Sequence, residues 1–295
     1  MKSSKKLFIA LLLVSSSALF AQQESIFSFY RYQMNIVNPA YAGADDKTLV
    51  SGGIRNQWNG IENAPETQAF SFSTPVGKNI GLGMSAVRDK TFIETSTFLG
   101  VDFSYKLKVT ESTNLYLGIK AGGNFYNVNT EGLQTYNVMS DPALNSISNF
   151  NPNVGIGGLI RFKDFYMSLS VPRLLNTERA KNEDGYASVA TDKPHVYWSS
   201  GYDIHLDDTD YLILKPSFFL RYVNSAPVSI DFNTMLNVDD IVEFGGTYRT
   251  DKAYAALINF KISKKLIIGY VYERSTRPEL ARAKNTSELL MRFEF

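Results

Sequence analysis

Cysteine is absent from this sequence, and histidine occurs only twice. Without cysteine, a disulfide framework and thiolate metal sites are excluded. His195 and His205 have the same parity on one predicted strand and would lie about 33 Å apart along it, which is too far to share a metal ion. The formal net charge is only +1, and this argues against the basic face that nucleic-acid binding requires.

Long hydrophobic runs are also missing, because nothing after the first 21 residues approaches the ~20 apolar residues of a membrane-spanning helix. At the start, Lys2, Lys5 and Lys6 precede a short apolar run at 7–14, and small residues lead to Ala21. This order is typical of a secretory signal peptide. We expect residues 1–21 to be removed and the mature chain to begin near Gln22 outside the cytoplasm. The alternative is an uncleaved anchor.

Aromatic residues are abundant, with 17 tyrosines and 20 phenylalanines, and these residue types favour strands. Residues 99–107 alternate strictly between apolar side chains and small or polar ones, and residues 115–125 repeat the pattern. A period of two is the strand period. The hydrophobic content of 44% is too low for a helical membrane protein, but it suits a barrel whose residues face lipid and lumen in turn.

The alternation begins at Thr48 and recurs to the C-terminus, giving about fourteen strands. The later ones are predicted at 154–162, 165–171, 196–206, 210–222, 228–236, 240–249, 252–260, 265–273 and 287–295. The connections alternate between short ones, such as 75–79, 163–164 and 263–264, and mostly longer ones, such as 59–66, 89–95, 126–153, 172–194 and 275–286. Outer-membrane barrels have short periplasmic turns and longer extracellular loops. The sequence therefore predicts an all-β, antiparallel transmembrane outer-membrane barrel over residues 48–295.

The last predicted strand places Phe293 and Phe295 on its lipid-facing side, and the sequence stops on an aromatic residue. This ending is typical of the final strand of an outer-membrane barrel, so we interpret the pair as a C-terminal barrel signal. An edge strand of a soluble sheet is the alternative when this strand is considered alone.

Residues 22–47 have no strand period and are polar and aromatic. We expect them either to plug the lumen or to lie at its periplasmic mouth. Charges of both signs occur at inward positions of the wall, so a strongly selective ion pore is not indicated. These charges solvate the lumen or pair across neighbouring strands; alternatively, they contact a ligand or plug. The inward charges are Arg55, Asp102, Lys106, Lys120, Arg161, Asp203, Arg221, Asp231, Glu243, Arg249, Glu273 and Arg292.

Chemistry-bearing motifs are few, so no cofactor and no enzymatic activity are predicted. The loose dinucleotide pattern at 81–86 has no helix after it, and its glycines alternate as small inward residues. The carboxylate pairs Asp45-Asp46, Asp207-Asp208 and Asp239-Asp240 fall at predicted turns, where aspartate is expected.

One stretch near the start of the mature chain carries a family resemblance. The run Asn38-Pro39-Ala40-Tyr41-Ala42-Gly43, followed by Arg55-Asn56-Gln57-Trp58 and Ala64-Pro65-Glu66-Thr67-Gln68, resembles the PorP/SprF family of outer-membrane proteins of the type IX secretion and gliding machinery. The resemblance implies a non-enzymatic cell outer-membrane protein that assists export and surface anchoring of a protein with a C-terminal sorting domain, such as an adhesin. The implied partners are that sorting domain, other secretion components such as a periplasmic ring or translocon, and outer-membrane lipid.

The family positions that carry over are Asn38, Pro39, Ala40, Tyr41, Gly43, Arg55, Gln57 and Trp58. We expect the turn at 38–43 to seat the N-terminal segment against Arg55 and Gln57 and so occlude the barrel; alternatively, these residues only start the first strand. A second hypothesis places the sorting domain on the outer loops 126–153 and 172–194. An outer-membrane diffusion channel or hydrophobic-solute transporter is the alternative function.

Overall fold

A computed structural model describes residues 27–130, 147–178, 191–224, 226–277 and 285–295. The predicted signal peptide lies outside the described residues, as do the central parts of the predicted loops at 126–153, 172–194 and 275–286. Within the described ranges, no helix combines the length and apolar character needed to cross a membrane.

Strands make up nearly all of the described chain after residue 48. Their bounds are β1 Leu49–Gln57, β2 Glu66–Val76, β3 Ile80–Thr91, β4 Glu94–Lys108, β5 Thr113–Val128, β6 Ile147–Phe162, β7 Phe165–Val171, β8 Thr177–Glu178, β9 Thr191–Asp192, β10 His195–Tyr202, β11 Ile204–His205, β12 Leu212–Val223, β13 Ser229–Val238, β14 Val242–Arg249, β15 Ala253–Ser263, β16 Leu266–Ser275 and β17 Asn285–Glu294.

The strands form one closed antiparallel ring. Strands β1 to β7 and β12 to β17 pair in sequence order, β1 pairs with β17, and β10 lies between β7 and β12 and completes the ring. Because β10 and β11 are two parts of one interrupted strand, the fifteen strand segments of the sheet correspond to fourteen barrel strands. The predicted fourteen-stranded barrel is confirmed. β8 and β9 form a separate two-stranded ribbon between β7 and β10.

The two faces of the wall have opposite composition. Along β4 and β5 the exposed residues include Leu99, Val101 and Ile119, whereas Asp102 and Lys120 are buried. Apolar side chains therefore face outward and polar ones inward, the reverse of a soluble domain and the order that a lipid environment requires. Closure also satisfies the backbone groups of every strand, because lipid offers them no partners.

One predicted outer loop is wrong. Residues 89–95 are expected as a loop, but β3 and β4 stay paired up to Thr91 and Glu94 and are joined by Phe92 and Ile93 alone. For the same reason β5 and β6 extend beyond the predicted bounds of the next loop, to Val128 and from Ile147. Hydrogen bonding continues above the apolar band, so hydrophobic alternation ends before the strand does.

The strand predicted at 196–206 is interrupted at Asp203. Its register with β12 is unchanged on either side, and that register places Pro216 opposite Tyr202. Proline has no backbone N–H to donate to the ladder, so pairing is weakest at this point. Asp203 makes an ion pair with Arg31 instead.

Candidate functional site: the N-terminal segment and the inner wall

Residues 27–47, called here the N-terminal segment, pack against inward-facing side chains of the wall. The segment contains three short 3-10 helices, Tyr30–Tyr32, Met34–Ile36 and Pro39–Tyr41, and nearly all its residues up to Ala44 are buried. A chain this short cannot bury itself, so its burial comes from the surrounding strands. Tyr30 packs against Phe219 with ring centroids 4.8 Å apart, and Tyr197 stacks on the same phenylalanine at 5.5 Å.

The Asn-Pro-Ala-Tyr sequence forms a capped turn. The Asn38 carboxamide oxygen accepts a hydrogen bond from the Ala40 backbone N–H at 2.9 Å, and its Nδ2 donates to the Gly158 carbonyl at 3.2 Å. Asparagine is a strong N-cap residue, and proline fits the first helical position because its missing N–H would have no partner there. The family motif is therefore a local structure that also binds the wall through its cap.

This turn lies directly on a glycine-lined part of the wall formed by β3, β5 and β6. A Cβ added at Gly118 would overlap the backbone of Pro39 and Ala40, one at Gly157 would overlap Asn38, and one at Gly81 would overlap the Ala42 carbonyl. The same Ala42 carbonyl accepts a hydrogen bond from the Ser104 hydroxyl at 2.5 Å. Glycine at these inward positions lets the two backbones approach closely.

Gly43 ends the turn and is constrained in two ways. Its φ is +65°, which favours glycine, and a Cβ there would lie 2.7 Å from the Gly81 Cα and 2.9 Å from the Pro75 Cα. Its N–H donates to the Ser73 hydroxyl at 2.8 Å. A side chain at this position would therefore be strained by conformation and by space.

Lys120 and Asp102 form a fully buried ion pair beneath the segment, with 2.8 Å between Nζ and Oδ1. The same ammonium donates to the Asn35 carbonyl at 3.0 Å and to the Ser85 hydroxyl at 2.7 Å. The Asn35 amide in turn donates to the Phe72 carbonyl at 3.0 Å. Removing Lys120 or Asp102 would leave the other charge buried and uncompensated. Because the Lys120 ammonium also binds the Asn35 carbonyl, this ion pair couples the wall to the segment.

A second group of inward charges, called here the charge layer, occupies the facing arc of the wall. Arg55 pairs with Glu288 and, at 2.8 Å, with Glu273; Arg249 bridges Glu273 at 2.9 Å and Asp231 at 2.8 Å. Arg221 completes the layer at 3.1 Å from Asp231. The small residues Ala253 and Ala255 of β15 stand at inward positions between Arg249 and Glu273, which leaves room for that contact.

Glu288 connects the charge layer to the N-terminal segment. Its carboxylate accepts hydrogen bonds from the Ser28 backbone N–H at 2.9 Å and from the Ser28 hydroxyl at 3.1 Å. The glutamate is 1% exposed, and it is not among the inward charges named from the sequence. Its parity with Arg292 on the last strand is the signal that could have identified it.

Charged contacts also hold the segment at the short-turn end of the barrel. Arg31 pairs with Asp203 at 2.9 Å, and the Tyr32 hydroxyl donates to Glu243 at 2.7 Å. Asp45 binds Arg161 at 2.6 Å and lies 3.7 Å from Arg292. These contacts surround a polar cavity of about 420 Å³ that opens at this end.

The pKa of Asp45 follows from these contacts. Partial burial acts to raise it, but the guanidinium groups of Arg161 and Arg292 outweigh that effect and hold it below its usual value. Asp45 is therefore an ionised partner at neutral pH and more than the turn residue that its sequence context predicts.

The turn and Arg55 lie on different parts of the inner wall, and the expectation that the turn seats the N-terminal segment against Arg55 and Gln57 stays a prediction. The turn at 38–43 rests on β3 to β6, whereas Arg55 lies in the charge layer and reaches the segment through Glu288 and Ser28. Gln57 ends β1 and pairs with Thr286 in register, and Trp58 follows in the outer connection with a φ of +53°. The sequence showed which residues face inward but not which wall the turn contacts.

The remaining sequence-derived positions lie away from the segment. Phe293 and Phe295 stack with centroids 6.4 Å apart, and the Phe295 N–H donates to the Thr48 carbonyl at 2.9 Å. His205 lies at the short-turn end beside Asp210, at 2.5 Å, whereas His195 begins β10 at the opposite end.

The sequence matches the family model of the type IX secretion system membrane protein PorP/SprF over residues 19–293. The chain belongs to the PorP/SprF family. No curated protein is significantly similar to it in sequence. As a PorP/SprF member with an outer-membrane-type barrel, it is a protein of the outer membrane and of the type IX secretion system.

Solved structures similar to this PorP/SprF barrel are outer-membrane proteins. The CymD monoaromatic hydrocarbon channel has a TM-score of 0.51 and 11% identity, covering 88% of this chain and 90% of that one. The Ralstonia pickettii toluene transporter TbuX has a TM-score of 0.47 and 11% identity, covering 87% and 91%. At this identity the likeness to CymD shows the fold alone.

Proposed function

We propose that this PorP/SprF protein acts without catalysing a reaction, and that it assists export and surface anchoring of a secreted protein bearing a C-terminal sorting domain, such as an adhesin. Family membership supports a role in secretion. The N-terminal segment supports a role other than that of a channel. It contacts inward residues on opposite parts of the wall, including Glu288 and Arg161. A lumen filled in this way suits a scaffold better than an open pore.

The N-terminal segment is proposed to occlude the barrel. Deleting residues 22–45 and recording ion conductance in planar bilayers tests this directly. The intact barrel is expected to conduct poorly and the deletion variant to conduct measurably more. Unchanged low conductance after the deletion contradicts occlusion, and high conductance of the intact protein favours a diffusion channel or hydrophobic-solute transporter instead.

Recognition of the secreted protein is proposed for the outer connections at 126–153 and 172–194. Loops on a rigid scaffold commonly carry recognition, and the rigid wall is present on both sides of these connections. Affinity purification from detergent-solubilised outer membranes, followed by mass spectrometry, should recover a sorting-domain protein together with other secretion components. Shortening either loop should release the secreted protein from cells; cells that retain it despite both deletions would refute this assignment.

A further inference from the structure

The lipid-facing surface of the barrel carries very few charges, and they are concentrated at one end. Among the outward positions of the described strands, the charged residues are Glu66, Arg88, Lys90 and Arg274. All four stand at the outer ends of β2, β3 and β16, and the outward positions near the periplasmic ends are uncharged. Charge on a lipid-facing wall is costly, least so near the interface.

The two arginines lie at the same height. Arg88 is eight positions above Ile80, where β3 begins, and Arg274 is eight positions above Leu266, where β16 begins. Eight residues of a strand tilted by about 40° rise roughly 20 Å along the barrel axis. Since the apolar band is about 25 Å tall, both guanidinium groups lie near its outer edge.

Their surroundings leave these cations available to lipid. The side chains of Arg88, Lys90 and Arg274 are exposed and make no hydrogen bond or ion pair with another residue in the described ranges. Tyr254 lies opposite Arg274 in register and packs against Tyr248 at 5.1 Å, as expected of an interfacial aromatic belt. Glu66 stands opposite Lys90, so the four side chains together carry two net positive charges.

We propose that Arg88 and Lys90 on β3, and Arg274 on β16, bind phosphate groups of a phosphorylated glycolipid in the outer leaflet of the outer membrane. Cations at this height can extend to the headgroup level while their aliphatic stems stay beside acyl chains. An anionic headgroup supplies the partner that the protein does not. The site is independent of the lumen and of any secreted partner.

Native mass spectrometry of the purified, detergent-solubilised protein tests the proposal with lipid A as the probe. Retention of bisphosphorylated lipid A is compared with retention of the same lipid after enzymatic dephosphorylation. The test variants are the double substitution Arg88→Gln and Lys90→Gln, and the single substitution Arg274→Gln. Lys78→Gln, in the periplasmic turn before β3, is the matched control, and Arg88→Lys keeps the charge.

The wild type should prefer the phosphorylated lipid, and each neutralised cation should weaken binding by about fivefold. The Lys78 and Arg88→Lys variants should bind like the wild type. Circular dichroism and heat-modifiable gel migration establish that every variant is a folded barrel. Equal retention of both lipids, or undiminished binding by the double variant, would overturn the assignment.

Discussion

Substituting Gly118 by alanine should displace the turn at 38–43 and open the barrel. The added methyl group would overlap the Pro39 and Ala40 backbone and would lie 2.7 Å from the Ala40 Cα. A relaxed carbon contact needs about 3.5 Å or more, so the turn has to move by about 1 Å. Because the obstacle is backbone held by the Asn38 cap, no side-chain rotation can relieve the clash.

The size of the effect follows from the cost of overpacking. Inserting a methyl group into a well-packed site costs about 1–3 kcal/mol. Here that cost destabilises only the closed state, in which the turn lies against residue 118. The ratio of open to closed barrels should therefore rise by roughly 5- to 150-fold. Single-channel recording in planar bilayers measures this as a higher open probability at unchanged unit conductance.

Gly158→Ala is the matched control for this experiment. Gly158 is next to the inward Gly157 but faces lipid, and the nearest atom to an added Cβ is 4.0 Å away. Its substitution should leave the recordings unchanged. If the Gly118 variant conducts no more than the Gly158 variant, the turn is not what closes the barrel.

The other predictions concern the charges that hold the segment and the end of the last strand. Glu288→Ala should destabilise the barrel by about 3–5 kcal/mol, since it removes a buried partner of Arg55, and should lower the temperature at which the folded gel band disappears. Asp45 has a lowered pKa, so its contribution is complete above the unfolded value of about 3.9 and is lost as pH falls through the lower folded value. Conductance should therefore stay low down to about pH 4 and rise below it. The Asp45→Asn variant should raise the ratio of open to closed barrels by at most about fivefold at neutral pH, and its conductance should show no further rise in acid. Replacing both Phe293 and Phe295 by alanine should reduce the amount of barrel assembled in the outer membrane, as measured by immunoblotting of membrane fractions; normal amounts would contradict their role as an assembly signal.

The barrel could be predicted from sequence because each wall residue obeys one local rule. A period of two separates lipid-facing from inward residues, and Leu99 and Asp102 follow it without knowledge of any neighbour. Strand ends were less predictable. At Thr91 and Glu94 the hydrogen-bonded ladder outlasts the apolar pattern, so hydrophobicity alone placed a loop there.

The arrangement inside the barrel could not be read in the same way, because it depends on residues far apart in sequence. Ser28 meets Glu288, and Asp45 meets Arg161, only after the ring has closed. Parity predicts that such side chains share the lumen, but not the arc on which each lies. For this reason the sequence alone does not show that the turn lies on β3 to β6, or that Arg55 reaches the segment through Glu288.

The two arcs of the inner wall divide the lumen between them, and this limits what removal of the N-terminal segment can do. Inward glycines on β3, β5 and β6 leave space that the backbone of the turn fills, whereas long charged side chains fill the facing arc. The charge layer belongs to the wall and stays when the segment is deleted. Deletion should therefore open only the glycine-lined part of the cross-section. A fully open pore would require truncation of the charge layer as well, and each truncation would leave the buried layer with one unbalanced charge. The same ion pairs that stabilise the wall thus keep the barrel narrow even without the segment.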